Sequence, residues 1–342
     1  YKQIMMKKRL IIGSGFEENK SKFDKNKFYR ILNLSLDRNI YHCDTADTYL
    51  KGNTQKIISK FSKKKKLKII NKFNLINNFE TLKLNLDKSL IRLGVDYIDT
   101  YMPHWPNQDL NFNLLADFAE YAIEKKKINS FGLSNFNLKM IKNFQKFYKK
   151  KISVQFELNI RNYSFNKKLI KYCKNKNIDM LVYGISRNFP TDLKIFNQLS
   201  DYNPYEISLK WISSLKYISP IIKSQKTKNL SNNINAFKQP FRKNYKFNEV
   251  SKIINVRVEK INQIYSGSGV VYKNLLKSKK NKYNLKPGPL EIAQEIKKNG
   301  LLKPFFFKKT KNGYILLSGQ ARYWAYRFLN KNIKRIKGIL LK

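Results

Sequence analysis

Eight short apolar or β-branched runs recur along the first two thirds of the chain, at Leu10–Phe16, Tyr41–Ala46, Leu67–Phe73, Tyr97–Met102, Ser130–Leu133, Ile152–Leu158, Met180–Tyr183 and Ile218–Ile222. Segments of helical periodicity separate them, such as Leu84, Leu86, Leu90 and Leu93, or Leu114, Leu115, Phe118 and Ala119, spaced close to one helical turn. Strand and helix alternating eight times predicts an α/β protein, a parallel (β/α)8 TIM barrel rather than an open sheet.

After Ala236 the pattern changes. Pro240 and the basic-aromatic stretch Phe241-Arg242-Lys243-Asn244-Tyr245 read as a linker, which divides the chain into a barrel over residues 1–240 and a small α+β domain over 241–342. The second domain opens on a strand at Ile253–Val258. Residues 265–289, rich in Gly, Ser, Lys and Asn, read as a mobile insertion outside the core. A helix over Pro289–Asn299 closed by Gly300 follows, then a strand at Pro304–Lys308, a turn at Lys311-Asn312-Gly313, a strand at Tyr314–Leu317 and a helix from Ala321 to Leu329.

Composition changes this picture little. With 342 residues, 42% hydrophobic and 14% aromatic, the chain has enough apolar surface for two cores. Lysine and arginine number 70 against 23 acidic residues, a net +47, a balance that ordinarily points to nucleic acid or an anionic membrane. Here the excess is mostly lysine, spread over the whole length among abundant Asn, Ile, Phe and Tyr. It reads as compositional drift with solvated lysine faces, and the dense block Lys63-Lys64-Lys65-Lys66 as a solvated loop. Cys43 and Cys173 lack the spacing of a zinc site or disulfide framework, so both are expected as core thiols in a reducing, cytoplasmic setting with no metal. The basic start Met5-Met6-Lys7-Lys8-Arg9 leads into an apolar run too short for export, and no run is long enough to cross a bilayer.

Where the runs stop, polar residues stand. If the strands are parallel in one sheet, Asp44, Tyr49, Lys72, His104 and Asn135 gather at their carboxyl ends, where α/β proteins place their chemistry. A set of this kind can deliver a proton. A phenol with a reference pKa of about 10 is a poor acid at neutral pH unless a cation stabilises its anion. Lys72 supplies such a cation, Asp44 holds it charged and oriented, and His104 is placed to hydrogen-bond the developing oxyanion. Each residue alone has an ordinary structural reading: packing for a Tyr, a cap for an Asp, a surface charge for a Lys. Their joint placement at separate strand ends favours a catalytic set. The other histidine, His42, lies mid-strand and is expected packed or outward.

The stretch Asp44-Thr45-Ala46-Asp47-Thr48-Tyr49 with Gly52, the run Ser89 to Asp99, His104-Trp105-Pro106, Gly132-Leu133-Ser134-Asn135-Phe136, Gln155, Asn159 and Ile222-Lys223-Ser224 with Asn233 resemble the aldo-keto reductase family over positions 9–238. The resemblance implies Tyr49 as proton donor, with Lys72, Asp44 and His104 in support. It also implies a nicotinamide dinucleotide, NADP with NAD as the alternative, bound across the barrel mouth without a Rossmann fingerprint. Ser134, Asn135 and Gln155 would hold the carboxamide and Tyr183 would stack on the nicotinamide. Lys223 and Ser224 would take the extra phosphate, with Asn233 beside them. The chain departs from the family pattern at Gln55, at Gly184-Ile185-Ser186, and at Asn229 and Asn232.

In the second domain, Glu291-Ile292-Ala293-Gln294-Glu295-Ile296, the run Asn299 to Pro304, Asn312-Gly313-Tyr314 and Ser318-Gly319-Gln320-Ala321-Arg322 resemble the ParB/sulfiredoxin-like domain. That resemblance implies a helix opened by Gly319 and Arg322 that receives a phosphate or nucleotide. Gln320, Ala321 and Trp324 depart from the chromosome-partitioning members, and the sulfiredoxin cysteine is absent. The expectation is therefore an NAD(P)H-dependent oxidoreductase acting on a small-molecule aldehyde or ketone, sugar- or nucleotide-linked in its finer form. The alternative is a non-catalytic nucleotide- or nucleic-acid-binding regulator on a decayed reductase barrel.

Overall fold

The computed structural model of the chain describes residues 8–15, 24–62, 67–107, 109–187, 189, 199, 202–241, 252–264, 272, 274–285, 287–329 and 333–341. The Lys63–Lys66 block, residues 242–245 of the expected linker and residues 265–271 of the expected insertion lie outside the described residues.

Each of the eight runs holds a strand: β1 (Ile11–Gly13), β2 (His42–Ala46), β3 (Lys68–Phe73), β4 (Thr100–Pro103), β5 (Phe131–Ser134), β6 (Ile152–Glu157), β7 (Asp179–Tyr183) and β8 (Ile218–Ile222). The helices between and after them are α1 (Lys25–Asp37), α2 (Asn53–Ser62), α3 (Phe79–Leu93), α4 (Phe112–Glu124), α5 (Leu138–Phe147), α6 (Tyr163–Asn175), α7 (Pro204–Ser214) and α8 (Thr227–Lys238). Neighbouring strands pair in parallel in chain order, and β8 closes on β1 through Ile11↔Ile221 and Ile12↔Ile222. The expected closed (β/α)8 barrel is therefore the fold of this part of the chain.

Side-chain alternation along each strand sets what faces the lumen. Ile11, Ile70, Met102, Leu181 and Ile221, each from a different strand, form one buried cluster. On the opposite faces of β3 to β5, Phe73, Tyr101 and Phe131 join Phe118 of α4 and Phe144 of α5 in a continuous aromatic layer, with Phe73 stacked on Tyr101 at 4.5 Å. Because both strand faces are covered, the runs read as nearly unbroken apolar stretches rather than alternating ones. Strand β4 is displaced from the expected run: Ile98 makes only an isolated bridge to Ile128, and regular pairing begins at Thr100. The Asn-rich composition supplies helix caps. The side chains of Asn78, Asn111, Asn137 and Asn203 each accept backbone N–H groups in the first turn of the helix that follows.

Cys43 and Cys173 are buried and unpaired. Burial, and next the Asp44 charge, raises the Cys43 thiol pKa, and burial pushes that of Cys173 up to about 12.

The chain divides into two compact units, one of Tyr1–Leu158, Ile170–Arg187 and Asp201–Asn244, the other of Asn159–Leu169, Asn188–Ser200 and Tyr245–Lys342. The second holds a five-stranded mixed sheet in the order β10-β12-β11-β13-β9, built from β9 (Ile253–Arg257), β10 (Ile261–Ile264), β11 (Phe305–Thr310), β12 (Gly313–Ser318) and β13 (Arg335–Leu341). Helices α9 (Leu275–Lys279), α10 (Pro289–Asn299) and α11 (Gln320–Leu329) accompany it. Its core gathers Val256, Tyr272, Phe305, Phe307, Leu316, Tyr323, Trp324 and Ile336.

Two corrections to the sequence reading follow. Tyr272, inside the expected insertion, is 1% exposed in that core, and residues 275–279 are helical, so this part of 265–289 belongs to the fold. The Gly, Ser, Lys and Asn content outweighs a lone aromatic in any composition average, although that aromatic and Leu275 are what pack. Strands β10 and β13 are additions, and β13 is interior to the sheet, between β11 and β9.

Candidate active site

Strand β2 carries Asp44 into the barrel and β3 carries Lys72 beside it, with Lys72 Nζ 2.6 Å from Asp44 Oδ2. Lys72 is 1% exposed and Asp44 4%. An isolated ammonium so deeply buried would shed its proton. Burial does oppose the charge on Lys72, but the Asp44 carboxylate and, after it, Tyr49 outweigh burial and hold its pKa above the ordinary value. Lys72 also donates to the Thr45 carbonyl at 2.8 Å, which fixes the ammonium at the end of the strand.

Tyr49 stands on the short turn after β2. Asp47 ties this turn to β3 by donating its N–H to the Lys72 carbonyl and accepting from the Asn74 N–H. The Lys72 ammonium lies 5.1 Å from the Tyr49 ring centroid, and the His104 ring meets Tyr49 edge-on at 5.6 Å. His104 follows β4 and is anchored by its N–H to the Phe73 carbonyl at 2.8 Å. Burial, and then the Lys72 charge, pushes its pKa down to about 3, so the imidazole is neutral near neutrality. The structure thus brings together Asp44, Tyr49, Lys72 and His104 at the carboxyl ends of three strands. Two neighbours escaped the sequence reading. Thr48 Oγ1 lies 3.5 Å from His104 Nδ1, and Gly15 faces the phenol. A Cβ on Gly15 would sit 3.3 Å from the Tyr49 hydroxyl oxygen, so glycine keeps space open there. Gly15 lies inside the expected run Leu10–Phe16, whereas β1 ends at Gly13, so the apolar pattern does not mark it.

The expected carboxamide ligands form one hydrogen-bonded chain. Tyr183 OH donates to Asn135 Oδ1 at 2.5 Å, Asn135 Nδ2 donates to Ser134 Oγ at 3.2 Å, and Ser134 Oγ donates to Gln155 Oε1 at 3.1 Å. Asn135 Nδ2 also reaches the His104 carbonyl at 2.9 Å. Gln155 Nε2 then donates to Asp44 Oδ1 at 2.7 Å. Since β2 and β6 are four strands apart in an eight-stranded barrel, this last bond crosses the lumen.

The expected phosphate ligands are turned to other partners. Lys223 Nζ donates to the Gly15 carbonyl at 3.2 Å, Ser224 Oγ donates to the Lys226 carbonyl at 2.9 Å, and Asn233 is buried on α8. In the second unit Gly319 has φ 99°, and a Cβ there would lie 2.9 Å from Arg322 Nη2. Gly319 and Arg322 are thus adjacent, and Arg322 Nη2 donates to the Pro304 carbonyl at 3.3 Å.

Eight parallel strands thus close on one another with a lysine–carboxylate pair beside a tyrosine at their carboxyl ends. Residues 9–188 match the model of the Aldo/keto reductase family, and the chain belongs to that family. Among curated proteins it is 25% identical over 175 residues to aldo-keto reductase YhdN of Bacillus subtilis, covering 47% of this chain and 52% of that protein. It is 27% identical over 166 residues to the NADH-specific methylglyoxal reductase of Escherichia coli, covering 41% and 51%. The chain spans about half the length of these relatives. Among solved structures, an aldo-keto reductase from Klebsiella pneumoniae in complex with NADPH superposes with a TM-score of 0.61 at 16% identity, covering 69% of this chain and 92% of that one. The thermostable aldo-keto reductase Tm1743 gives 0.61 at 21% identity, covering 68% and 91%. These structures share the barrel fold with this chain.

Proposed function

We propose that the protein is an NAD(P)H-dependent oxidoreductase that reduces an aldehyde or ketone, with Tyr49 as the proton donor. One observation carries the reading: a buried Lys72–Asp44 pair at 2.6 Å, with the ammonium 5.1 Å from the Tyr49 ring and a neutral His104 against the same ring. An ammonium at that distance in a dry site lowers the cost of a phenolate. A neutral imidazole is a hydrogen-bond donor to a substrate oxygen without being a competing acid. The phenol O–H bond breaks, its proton joins the carbonyl oxygen, and the phenolate left beside Lys72 recovers a proton from solvent.

A reduced nicotinamide, when bound, would supply the hydride for the carbonyl carbon. The residues present fit such a group. Gln155 keeps one amide N–H beyond the one given to Asp44, and the carbonyl oxygens of Gln155 and Asn135 each keep a lone pair, which together match a carboxamide. Tyr183 presents a ring next to these amides, and Lys223 and Ser224 follow the last strand, where barrels often bind phosphate. NADP is the favoured cofactor, as in the NADPH complex of the Klebsiella pneumoniae relative. NAD is the alternative, in keeping with the NADH-specific Escherichia coli relative.

Tyr49→Phe is expected to lower turnover of simple aldehydes by about 10²–10⁴-fold while leaving NADPH binding, followed by fluorescence titration, near the wild-type level. Turnover unchanged by the substitution would remove Tyr49 from the mechanism. The finer reading is that residues 241–342 act as a ParB/sulfiredoxin-like domain that receives a phosphate or nucleotide, including a nucleotide- or sugar-linked substrate. The left-handed Gly319 beside Arg322 at the start of α11 supports it. Arg322→Ala should then weaken nucleotide binding to the full chain at least tenfold, and equal affinity in both proteins would discard it.

A further inference from the structure

We infer that Gln155 is a positioning residue for proton transfer, acting on Tyr49 through Asp44 and Lys72 as well as facing the cofactor. The inference rests on the assignment of Tyr49 as the acid. Asp44 has two carboxylate oxygens inside the lumen. Oδ2 is 2.6 Å from Lys72 Nζ and Oδ1 is 2.7 Å from Gln155 Nε2, so the cation and the amide share one buried anion. Gln155 is itself 2% exposed, and its amide cannot turn freely, because Ser134 Oγ donates to Oε1 and thereby directs the N–H groups towards Asp44.

Charge-sharing of this kind sets how much positive field reaches the phenol. A hydrogen bond from Gln155 takes up part of the Asp44 charge and leaves the ammonium less neutralised towards Tyr49. Without that donor the carboxylate is satisfied by Lys72 alone, the field at Tyr49 falls, and the phenolate becomes harder to form. Other charged or titratable groups facing the phenol are few among the described residues. Asp47 on the turn itself accepts from the Asn74 N–H and is raised by burial, His104 after β4 is neutral, Tyr183 of β7 is held protonated by burial and by Glu157, and Lys223 after β8 is directed to the Gly15 carbonyl. None of them bonds to Asp44 in place of Gln155. A ligand that draws on the remaining Gln155 N–H must then also change Tyr49 acidity, and by reciprocity Tyr49 ionisation must change the affinity of that ligand.

The test uses the full chain. The Tyr49 pKa is read without cofactor, as the ultraviolet phenolate titration of the protein minus that of Tyr49→Phe, and again with NADPH and a simple aldehyde, from the high-pH fall of kcat/KM. Gln155→Met, an apolar replacement of similar length, is expected to raise both values by about one unit. Ser134→Ala, which frees the Gln155 amide to turn and also removes an acceptor of Asn135 Nδ2, should move the cofactor-free value in the same direction by less, and that value decides the matter if the Gln155 variant does not fold. A kcat/KM that falls in Gln155→Met through KM alone, with both pKa values unmoved, would overturn the inference and leave Gln155 as a cofactor ligand only. A wild-type protein with no Tyr49-dependent titration, whose turnover survives Tyr49→Phe, would instead overturn the assignment of the acid and the inference with it.

Discussion

Lys72 stands at a lumen-facing position in register with Ala46 and Met102 of the neighbouring strands, and a cation there is tolerated because Asp44 and the Thr45 carbonyl meet it. Breaking one side of a buried pair costs more than the pair contributes, since the survivor stays charged and dry. Lys72→Met should therefore destabilise the protein by about 3–5 kcal/mol in urea unfolding, and adding Asp44→Leu should return much of that stability without restoring turnover. The histidines give a pH signature of definite sign. His104 titrates at about 3 and His42, lowered first by burial and then by Arg9 and Lys68, at about 4, against about 6.5 when unfolded. Between these values the unfolded chain binds more protons, so stability is full above pH 6.5 and is lost as pH falls towards 4. The slope is at most about 1.4 kcal/mol per pH unit for each histidine. Melting temperatures across that range check it, and His104→Gln should remove part of the slope. The polar residues that end each apolar run were legible in the sequence, because strand direction alone sends them to one rim. The Asp44–Gln155 bond was not, because it joins residues 111 apart whose meeting depends on barrel closure.

At the level of elements, the turn after β2 departs from what its residues prefer. Leu50 and Lys51 both adopt left-handed conformations, with φ of 47° and 53°, immediately after Tyr49 and ahead of Gly52. Each such non-glycine residue costs on the order of 1 kcal/mol. Lys51→Gly, which removes a Cβ without touching the phenol, is expected to leave thermal stability unchanged or raised by up to about 1 kcal/mol. A marked loss would mean that the Lys51 side chain holds the turn. The barrel strands were readable because burial on both faces writes them as apolar runs, and α10 because Pro289 opens it and Gly300 closes it. β13 hid behind Arg335 and Lys337 on its exposed face, although Ile336 and Ile339 are buried. The α9 region hid behind its lysines and asparagines.

Across the whole molecule, a net charge of +47 opposes compaction. Added salt should raise the melting temperature steadily up to about physiological ionic strength, where the screening length is about 8 Å, and a flat response would mean that self-repulsion among the solvated lysines contributes little to stability. The Lys72–Asp44 pair should not share in this dependence, being out of reach of counterions. The existence of a second unit was legible from the break after Ala236, whereas the membership of Asn159–Leu169 in it was not, since that stretch reads as one more barrel connection. The two sheltered thiols turn the molecule into its own clock. Cys43 sits one residue before Asp44, and a thiol so placed and so weakly acidic meets an alkylating reagent only when β2 leaves the barrel. Cys173 reports the same for α6. Matching modification rates would show that the barrel breathes as one body, while faster loss of Cys173 would show the helical jacket peeling first from a wall that still guards its carboxylate.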